Sequence, residues 1–226
     1  MAILITGGAG YTGSHVCIDL LKQGYEVIIV DNFLTSNPES LAHIRAESGK
    51  NFKLYAMDLA QKDVVERIFK ENMIEGVIHF AGIKSTGTCK DKPITYYQTN
   101  LTSTLILCEI MSEYNIKKMV FSSSEGFYGD NGSQTSVYGS AKLMIERILS
   151  EVYKADPSWA IQIVRYLNKE NDIYNTEHIN VEDMTKIYID AFKDIQEGTL
   201  ETYELNFDNQ TISLEPANVY SEYLVK

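Results

Sequence analysis

Short apolar runs alternate along this chain with stretches whose apolar residues recur every three or four positions. That alternation is expected of strands buried on both faces and followed by amphipathic helices. Residues 3–6 predict a first strand, and residues 27–30 a second that ends at Asp31. Between them, Val16, Cys17, Leu20 and Leu21 fall on one face of a helix predicted over 11–23, with Gly24 as its left-handed stop. The rhythm continues with a strand over 52–57, a helix over 62–72 and a strand over 76–80. A long helix over 93–114 carries Tyr97, Leu101, Leu105 and Cys108 or Met111 on an apolar stripe that also holds Asn100. A strand over 118–121, a helix opening at Tyr138, a helix over 181–194 and a strand over 203–207 follow, and Pro216 suits the first turn of a final helix. The chain is therefore expected to be α/β, a doubly wound, mainly parallel sheet with helices on both faces. No repeat, low-complexity tract or linker interrupts it, so residues 1–226 read as a single domain without a separate substrate domain.

Composition narrows the function classes. With 226 residues, 44% of them hydrophobic, the chain can bury one large core. A formal charge of −11 and a pI near 4.8 argue against nucleic acid or an anionic membrane as a general partner, although a local basic pocket is compatible with that field. Met1 leads straight into a strand without a basic flank, and no apolar run approaches the roughly 20 residues that span a bilayer. Cys17, Cys89 and Cys108 are odd in number, far apart and without metal-ligand spacing. These features predict no metal site and free thiols in a reducing compartment, hence a cytoplasmic protein.

The first strand feeds Gly7-Gly8-Ala9-Gly10-Tyr11-Thr12-Gly13. Such a run between a strand and a helix has a specific use. Gly8 can supply the tight turn, Gly10 lets the backbone approach a pyrophosphate, and Gly13 lets the helix lie close on the strand. The helix N-terminus then offers free N–H groups and a positive dipole end to the phosphates. Asp31 lies 18 residues beyond Gly13, where a carboxylate accepts hydrogen bonds from ribose hydroxyls and repels a 2′-phosphate. Strand, turn, helix, strand and acid together predict a Rossmann-type dinucleotide site with NAD preferred over NADP. Ala81-Gly82-Ile83-Lys84 follows another strand end, where ligands lie in open parallel sheets, and Lys84 there suits ribose hydroxyls or substrate charge.

Tyr138 and Lys142 stand four residues apart and project from one helix face. An ammonium beside a phenol favours the phenolate, so the phenol is expected below its ordinary pKa of about 10 and suited to act as a general base. Ser122-Ser123-Ser124 closes the fifth strand on the same side of the sheet, where Ser124 can bond the reacting oxygen and Lys142 the nicotinamide ribose.

These stretches carry a family resemblance. Residues 6–15, Val30-Asp31-Asn32-Phe33, His79-Phe80-Ala81-Gly82-Ile83-Lys84, Tyr96-Tyr97 with Asn100-Leu101-Thr102, Phe121-Ser122-Ser123-Ser124, Tyr128-Gly129, Tyr138-Gly139 with Lys142, and Arg165-Tyr166 with Asn168 resemble the extended short-chain dehydrogenase/reductases. Within that group they are most similar to the UDP-glucose 4-epimerases. The resemblance implies that bound NAD takes hydride from the sugar C4 while Tyr138 removes the hydroxyl proton, and that hydride returns to the other face of a 4-keto intermediate. It implies cofactor contacts from Gly7, Gly10, Tyr11, Thr12, Gly13, Asp31, Asn32, Asp58, Leu59, Phe80, Ala81, Gly82, Lys84, Asn100, Ser122, Tyr138, Lys142 and Tyr166. Ser124 would steady the C4 oxygen, with Lys84 and Asn168 also on the UDP-sugar. The helices over 93–114 and 138–153 resemble those of the family's homodimer interface.

The chain also departs from the family. Glu125-Gly126 replaces a small pair, the loop to Tyr138 is short, and Leu167-Asn168-Lys169 lacks the family's proline. Nine residues separate Asn168 from His178, where the family inserts much of its nucleotide-sugar lobe, and Asn180 takes a histidine's place ahead of Asp183. No arginine follows Arg165. Both connections are shortened with sheet elements kept, which predicts a minimal core, as engineering would produce, with weakened turnover. The alternative expectation is an NAD-binding scaffold without sugar turnover.

Overall fold

A computed structural model of the chain describes residues 1–83, 92–124, 137–166, 181–208 and 211–216. Strands β1 (Ala2–Thr6), β2 (Glu26–Asp31), β3 (Lys53–Ala56), β4 (Ile74–His79), β5 (Lys118–Ser124), β6 (Ala160–Tyr166), β7 (Thr199–Asp208) and β8 (Thr211–Pro216) form one sheet in the order β3-β2-β1-β4-β5-β6-β7-β8. Every neighbouring pair is parallel except β7 with β8. The order reverses between β1 and β4, and in such sheets the crevice beyond the strand ends at that reversal receives the ligand.

Alternation along β1 shows how the sheet separates two cores. Ile3 and Ile5 pack with Val16, Leu20, Leu41, Ile44, Tyr188 and Ile189 on the face covered by α1 (Tyr11–Lys22), α2 (Glu39–Ser48) and α6 (Val181–Asp194). Ala2 and Leu4 point oppositely, toward Val65, Ile68, Leu107, Met111, Ile145 and Leu149 of α3 (Lys62–Glu71), α4 (Pro93–Glu113) and α5 (Val137–Ala155). Strands buried on both faces need apolar residues at consecutive positions, which is why β1 and β2 read as unbroken runs. Gly24 has φ +89° just past α1 and donates its N–H to the Leu21 carbonyl at 3.1 Å, ending the helix as its sequence implied.

Several elements differ from the sequence expectation. Helix α2 was not foreseen; it buries only Leu41 and Ile44, too few for a clear periodicity, and its start is set by Asn37, whose Oδ1 accepts the Glu39 N–H at 3.0 Å. Strand β6 was hidden by Gln162 and Arg165, polar residues that the sheet buries beside charged partners. Pro216 closes β8 instead of opening a helix, and β8 adds the antiparallel edge. On α4 the buried face is Tyr96, Asn100, Ser103, Thr104, Leu107, Cys108, Ile110 and Met111, whereas Leu105 is 48% exposed and Tyr97 and Leu101 are half-buried. Half of that inner face is polar and satisfies itself by hydrogen bonds, so hydrophobicity alone misplaces the stripe.

Candidate active site

At the sheet's reversal lies a cleft of about 370 Å3. The turn after β1 forms its floor. Gly7 has φ +68°, and a Cβ on it would stand 2.8 Å from the Ala81 nitrogen; a Cβ on Gly13 would stand 2.4 Å from the Gly7 carbonyl oxygen. The left-handed residue of the turn is thus Gly7 and not Gly8, which packs on Ile29 instead. The Gly10 N–H bonds the Gly7 carbonyl at 3.1 Å, and α1 begins with no side-chain cap. Its first turn, whose N–H groups have no acceptor within the helix, borders the cleft through Tyr11, Thr12 and Gly13. Such a terminus favours an anion.

Asp31, buried at the end of β2, ties this turn to the next loop. Its Oδ2 accepts the Ala9 N–H at 3.0 Å, and its Oδ1 accepts the Phe33 N–H at 2.9 Å and the Ser36 hydroxyl at 2.8 Å. Phe33 takes φ +57° in the process, an unusual conformation for a bulky residue. Asn32 donates to Asp58 Oδ2 at 3.4 Å, and Asp58 Oδ1 accepts the Ala60 N–H at 2.9 Å. Leu34, Thr35, Ser36 and Met57 join Asn32, Asp58 and Leu59 along this end of the cleft. Sequence reasoning missed the first four because they carry no motif; their one signal is that they follow the strand ends at Asp31 and Ala56.

The opposite end is assembled from distant segments. Phe80, Ala81, Gly82 and Ile83 leave β4, and Ile83 donates its N–H to Asn100 Oδ1 at 2.9 Å. Asn100 is buried behind this loop and does not line the cleft; Thr99 and Ser103 of α4 do. Tyr96 donates its hydroxyl to the Ile83 carbonyl and meets the Tyr138 ring edge-on, with centroids 6.5 Å apart. Below the loop, His79 is enclosed between the Thr6 hydroxyl at 2.6 Å and the Thr104 hydroxyl at 2.9 Å. Because Thr104 donates to the Asn100 carbonyl at 3.1 Å, His79 donates from Nε2 and accepts at Nδ1. Burial, with Lys142 adding to it, pushes the imidazole down to about 3, so it stays neutral.

Helix α5 brings Tyr138 and Lys142 to the cleft beside Ser122. Lys142 is buried and donates from Nζ to the Ser122 carbonyl at 2.8 Å, with Nζ 4.6 Å from the Phe121 ring centre and 5.8 Å from that of Tyr138. The ammonium was expected to lower the phenol's pKa. The structure shows the reverse, for burial pushes Tyr138 up to about 12. With Nζ engaged on the Ser122 carbonyl, desolvation of the phenolate outweighs the nearby positive charge. On the other face, the Tyr188 and Ser122 hydroxyls lie 2.8 Å apart, and Tyr188 packs edge-on against Phe80 at 4.8 Å. Tyr188 carried no signal in the sequence, whereas Ile83 belongs to the strand-end stretch after β4 that did.

The structure thus brings together along one cleft Gly7, Gly10, Tyr11, Thr12, Gly13, Asp31, Asn32, Asp58, Leu59, Phe80, Ala81, Gly82, Ser122, Tyr138 and Lys142. Lys84, Cys89, Asn168, His178, Asn180 and residues 125–136 lie outside the described residues, while the backbones of Ser124 and Tyr166 pair with each other across β5 and β6. Cys17 and Cys108 are free and buried, and no cluster of metal-ligating side chains occurs among the described residues.

A cleft at the sheet reversal, floored by a glycine turn and closed by a Tyr-Lys helix, defines a nucleotide-cofactor site of the short-chain dehydrogenase/reductase kind. Residues 3–203 match the NAD dependent epimerase/dehydratase family, and the chain belongs to that family. It is 45% identical over 178 residues to a UDP-glucose 4-epimerase of Bacillus subtilis, an overlap that takes in 74% of this chain and 52% of that protein. With a UDP-glucose 4-epimerase of Haemophilus influenzae it is 42% identical over 179 residues, 74% of this chain and 53% of that one. The chain spans about half the length of the curated relatives it matches. Among solved structures, UDP-glucose 4-epimerase from Bifidobacterium longum in complex with NAD+ and UDP superposes with a TM-score of 0.82 at 33% identity, covering 95% of this chain and 80% of that one. Among the described residues, no helix is long and apolar enough to cross a membrane.

Proposed function

We propose that the cleft binds NAD and that the chain acts on a UDP-sugar as an NAD-dependent 4-epimerase. One observation carries the proposal: the glycine turn, Asp31 and the Tyr138–Lys142 pair, drawn from three separate parts of the sequence, line one continuous cleft. The residues fit the cofactor. Gly7 and Gly13 let the turn pack closely on Ala81 and on itself, Gly10 lets the backbone approach a pyrophosphate, and the first turn of α1 with Tyr11 and Thr12 attracts its charge. Asp31 and Asn32 hold the adenosine ribose, Asp58 and Leu59 border the base, and Phe80, Ala81, Gly82 and Ser122 wall the far end. When bound, NAD accepts a hydride from the sugar C4 and returns it.

As the hydride leaves, Tyr138 takes the proton of the C4 hydroxyl, and it gives that proton back to the C4 oxygen when the hydride returns. Its phenol is pushed up to about 12 in the structure, so positive charge must come close before it can serve as a base. Lys142 supplies that charge and also reaches the cofactor ribose. Ser124 steadies the C4 oxygen, Tyr166 completes the cofactor contacts, and Lys84 and Asn168 touch the sugar nucleotide. Residues 1–226 act as a single cofactor-binding domain in a cytoplasmic protein, a setting that the free, buried thiols of Cys17 and Cys108 suit. Two copies pair through α4 and α5, supported by the exposed Leu105 and Met144 on those helices; light scattering checks this.

Incubation with UDP-galactose is expected to yield UDP-glucose, with substrate-dependent reduction of bound NAD at 340 nm. No reduction in protein shown to contain NAD would favour a second reading, an NAD-binding module without sugar turnover. The observations behind that reading are the raised Tyr138 pKa and the engagement of Lys142 by the Ser122 carbonyl. Calorimetry separates the two, since the second requires NAD to bind and UDP-sugars not to.

A further inference from the structure

Behind the cleft, and not lining it, three polar side chains meet in the core. Ser123 of β5 and Arg165 of β6 are cross-strand partners in register and both reach Glu146 of α5. The Ser123 hydroxyl donates to Glu146 Oε1 at 2.5 Å, and Arg165 donates from Nη2 to Oε2 at 2.6 Å and from Nε to both oxygens at 3.1 Å. The Glu146 and Arg165 side chains are only 2% and 9% exposed. A buried ion pair is a poor means of stabilising a fold, because desolvation consumes most of the attraction and well-packed apolar residues serve as well or better. What it adds is direction, since a forked guanidinium accepts a carboxylate in one geometry.

That direction bears on the site. Tyr138, Lys142 and Glu146 stand at four-residue spacing, so they share one stripe of α5. Lys142 ties that stripe to the Ser122 carbonyl, and Glu146 ties it to Ser123 one turn later. A rotation or slide of the helix by one residue breaks both ties together. Resting on the catalytic role given above to Tyr138 and Lys142, the geometry points to the Ser123–Glu146–Arg165 cluster as the positioning element of the site: it fixes the register of α5 on β5 and β6, and so where the Tyr138 hydroxyl and the Lys142 ammonium sit.

The test is made on the full chain labelled with 13Cζ-tyrosine, the Tyr138 resonance being assigned with Tyr138→Phe. In the double variant Glu146→Met, Arg165→Met, the melting temperature is expected within a few degrees of wild type or above it. The Tyr138 resonance should move, and kcat should fall at least roughly tenfold with KM within about twofold. Ser123→Ala removes only the link to β5, and a smaller shift of the same resonance is expected with melting unchanged. An unmoved Tyr138 resonance in both folded variants would overturn the proposal, as would collapse of the double variant, which would make the pair a device for stability. The resonance is read without cofactor or substrate. A wild-type protein without turnover would therefore refute the epimerase assignment alone.

Discussion

The two ends of the cleft are built on different principles. The cofactor end is local: β1, the glycine turn, α1 and β2 are consecutive, and Asp31 closes the unit by bonding back to Ala9 and forward to Phe33 and Ser36. The chemical end is assembled from afar. Tyr138 meets Tyr96 from α4, Ser122 meets Tyr188 from α6, and Lys142 lies against Phe121 of β5. A local unit keeps its geometry wherever its chain segment folds, whereas an assembled one depends on how each helix is seated on the sheet. The cofactor end should therefore tolerate change in the rest of the molecule, and the chemical end should not.

The sharpest separation of the two ends is Tyr138→Phe. Hydride transfer is expected to fall by about 10²–10⁴-fold, followed at 340 nm, while NAD affinity by calorimetry stays within a few-fold. A wild-type rate would refute the assignment of Tyr138 as the base. The converse change is Gly13→Ala. Its Cβ would stand 2.4 Å from the Gly7 carbonyl oxygen, so the turn must shift, with a destabilisation of ~1–3 kcal/mol in urea unfolding and a loss of NAD binding of at least about tenfold. Asp31→Ala removes three hydrogen bonds to Ala9, Phe33 and Ser36; it should weaken NAD and narrow the preference over NADP, as measured by parallel titrations of both.

A separate effect is on pH dependence. Burial keeps His79 neutral down to about 3, whereas a free histidine takes its proton near 6.5. Between those values the unfolded chain binds one more proton than the folded one. The contribution of this group is therefore intact above pH 6.5 and declines on acidification by about 1.4 kcal/mol per pH unit. His79→Asn should show a shallower decline than wild type in urea unfolding between pH 7 and 4. Equal slopes would show that His79 protonates in the folded protein.

The sheet and its cofactor end were legible because both rest on local signals, apolar runs for buried strands and glycines where a side chain would collide, as at Gly13. Where polar residues enter the core, the signal fails. Asn100 and Thr104 on α4, and Gln162 and Arg165 on β6, are buried with partners 17 to 39 residues away along the chain, and no periodicity reports such pairing. The Tyr138–Lys142 spacing put both residues on one helix face, and both line the cleft. It misjudged the phenol's acidity, because spacing conveys neither the desolvation of the ring nor the Ser122 carbonyl that holds the ammonium.

The cleft is proposed as an NAD site anchored at its local end. Native mass spectrometry of the purified chain, with NAD and NADP offered separately, tests it most directly. One NAD per chain is expected, with NADP bound far less, and loss of the NAD adduct in Gly13→Ala. A wild-type chain that stays bare in a large excess of NAD would contradict it.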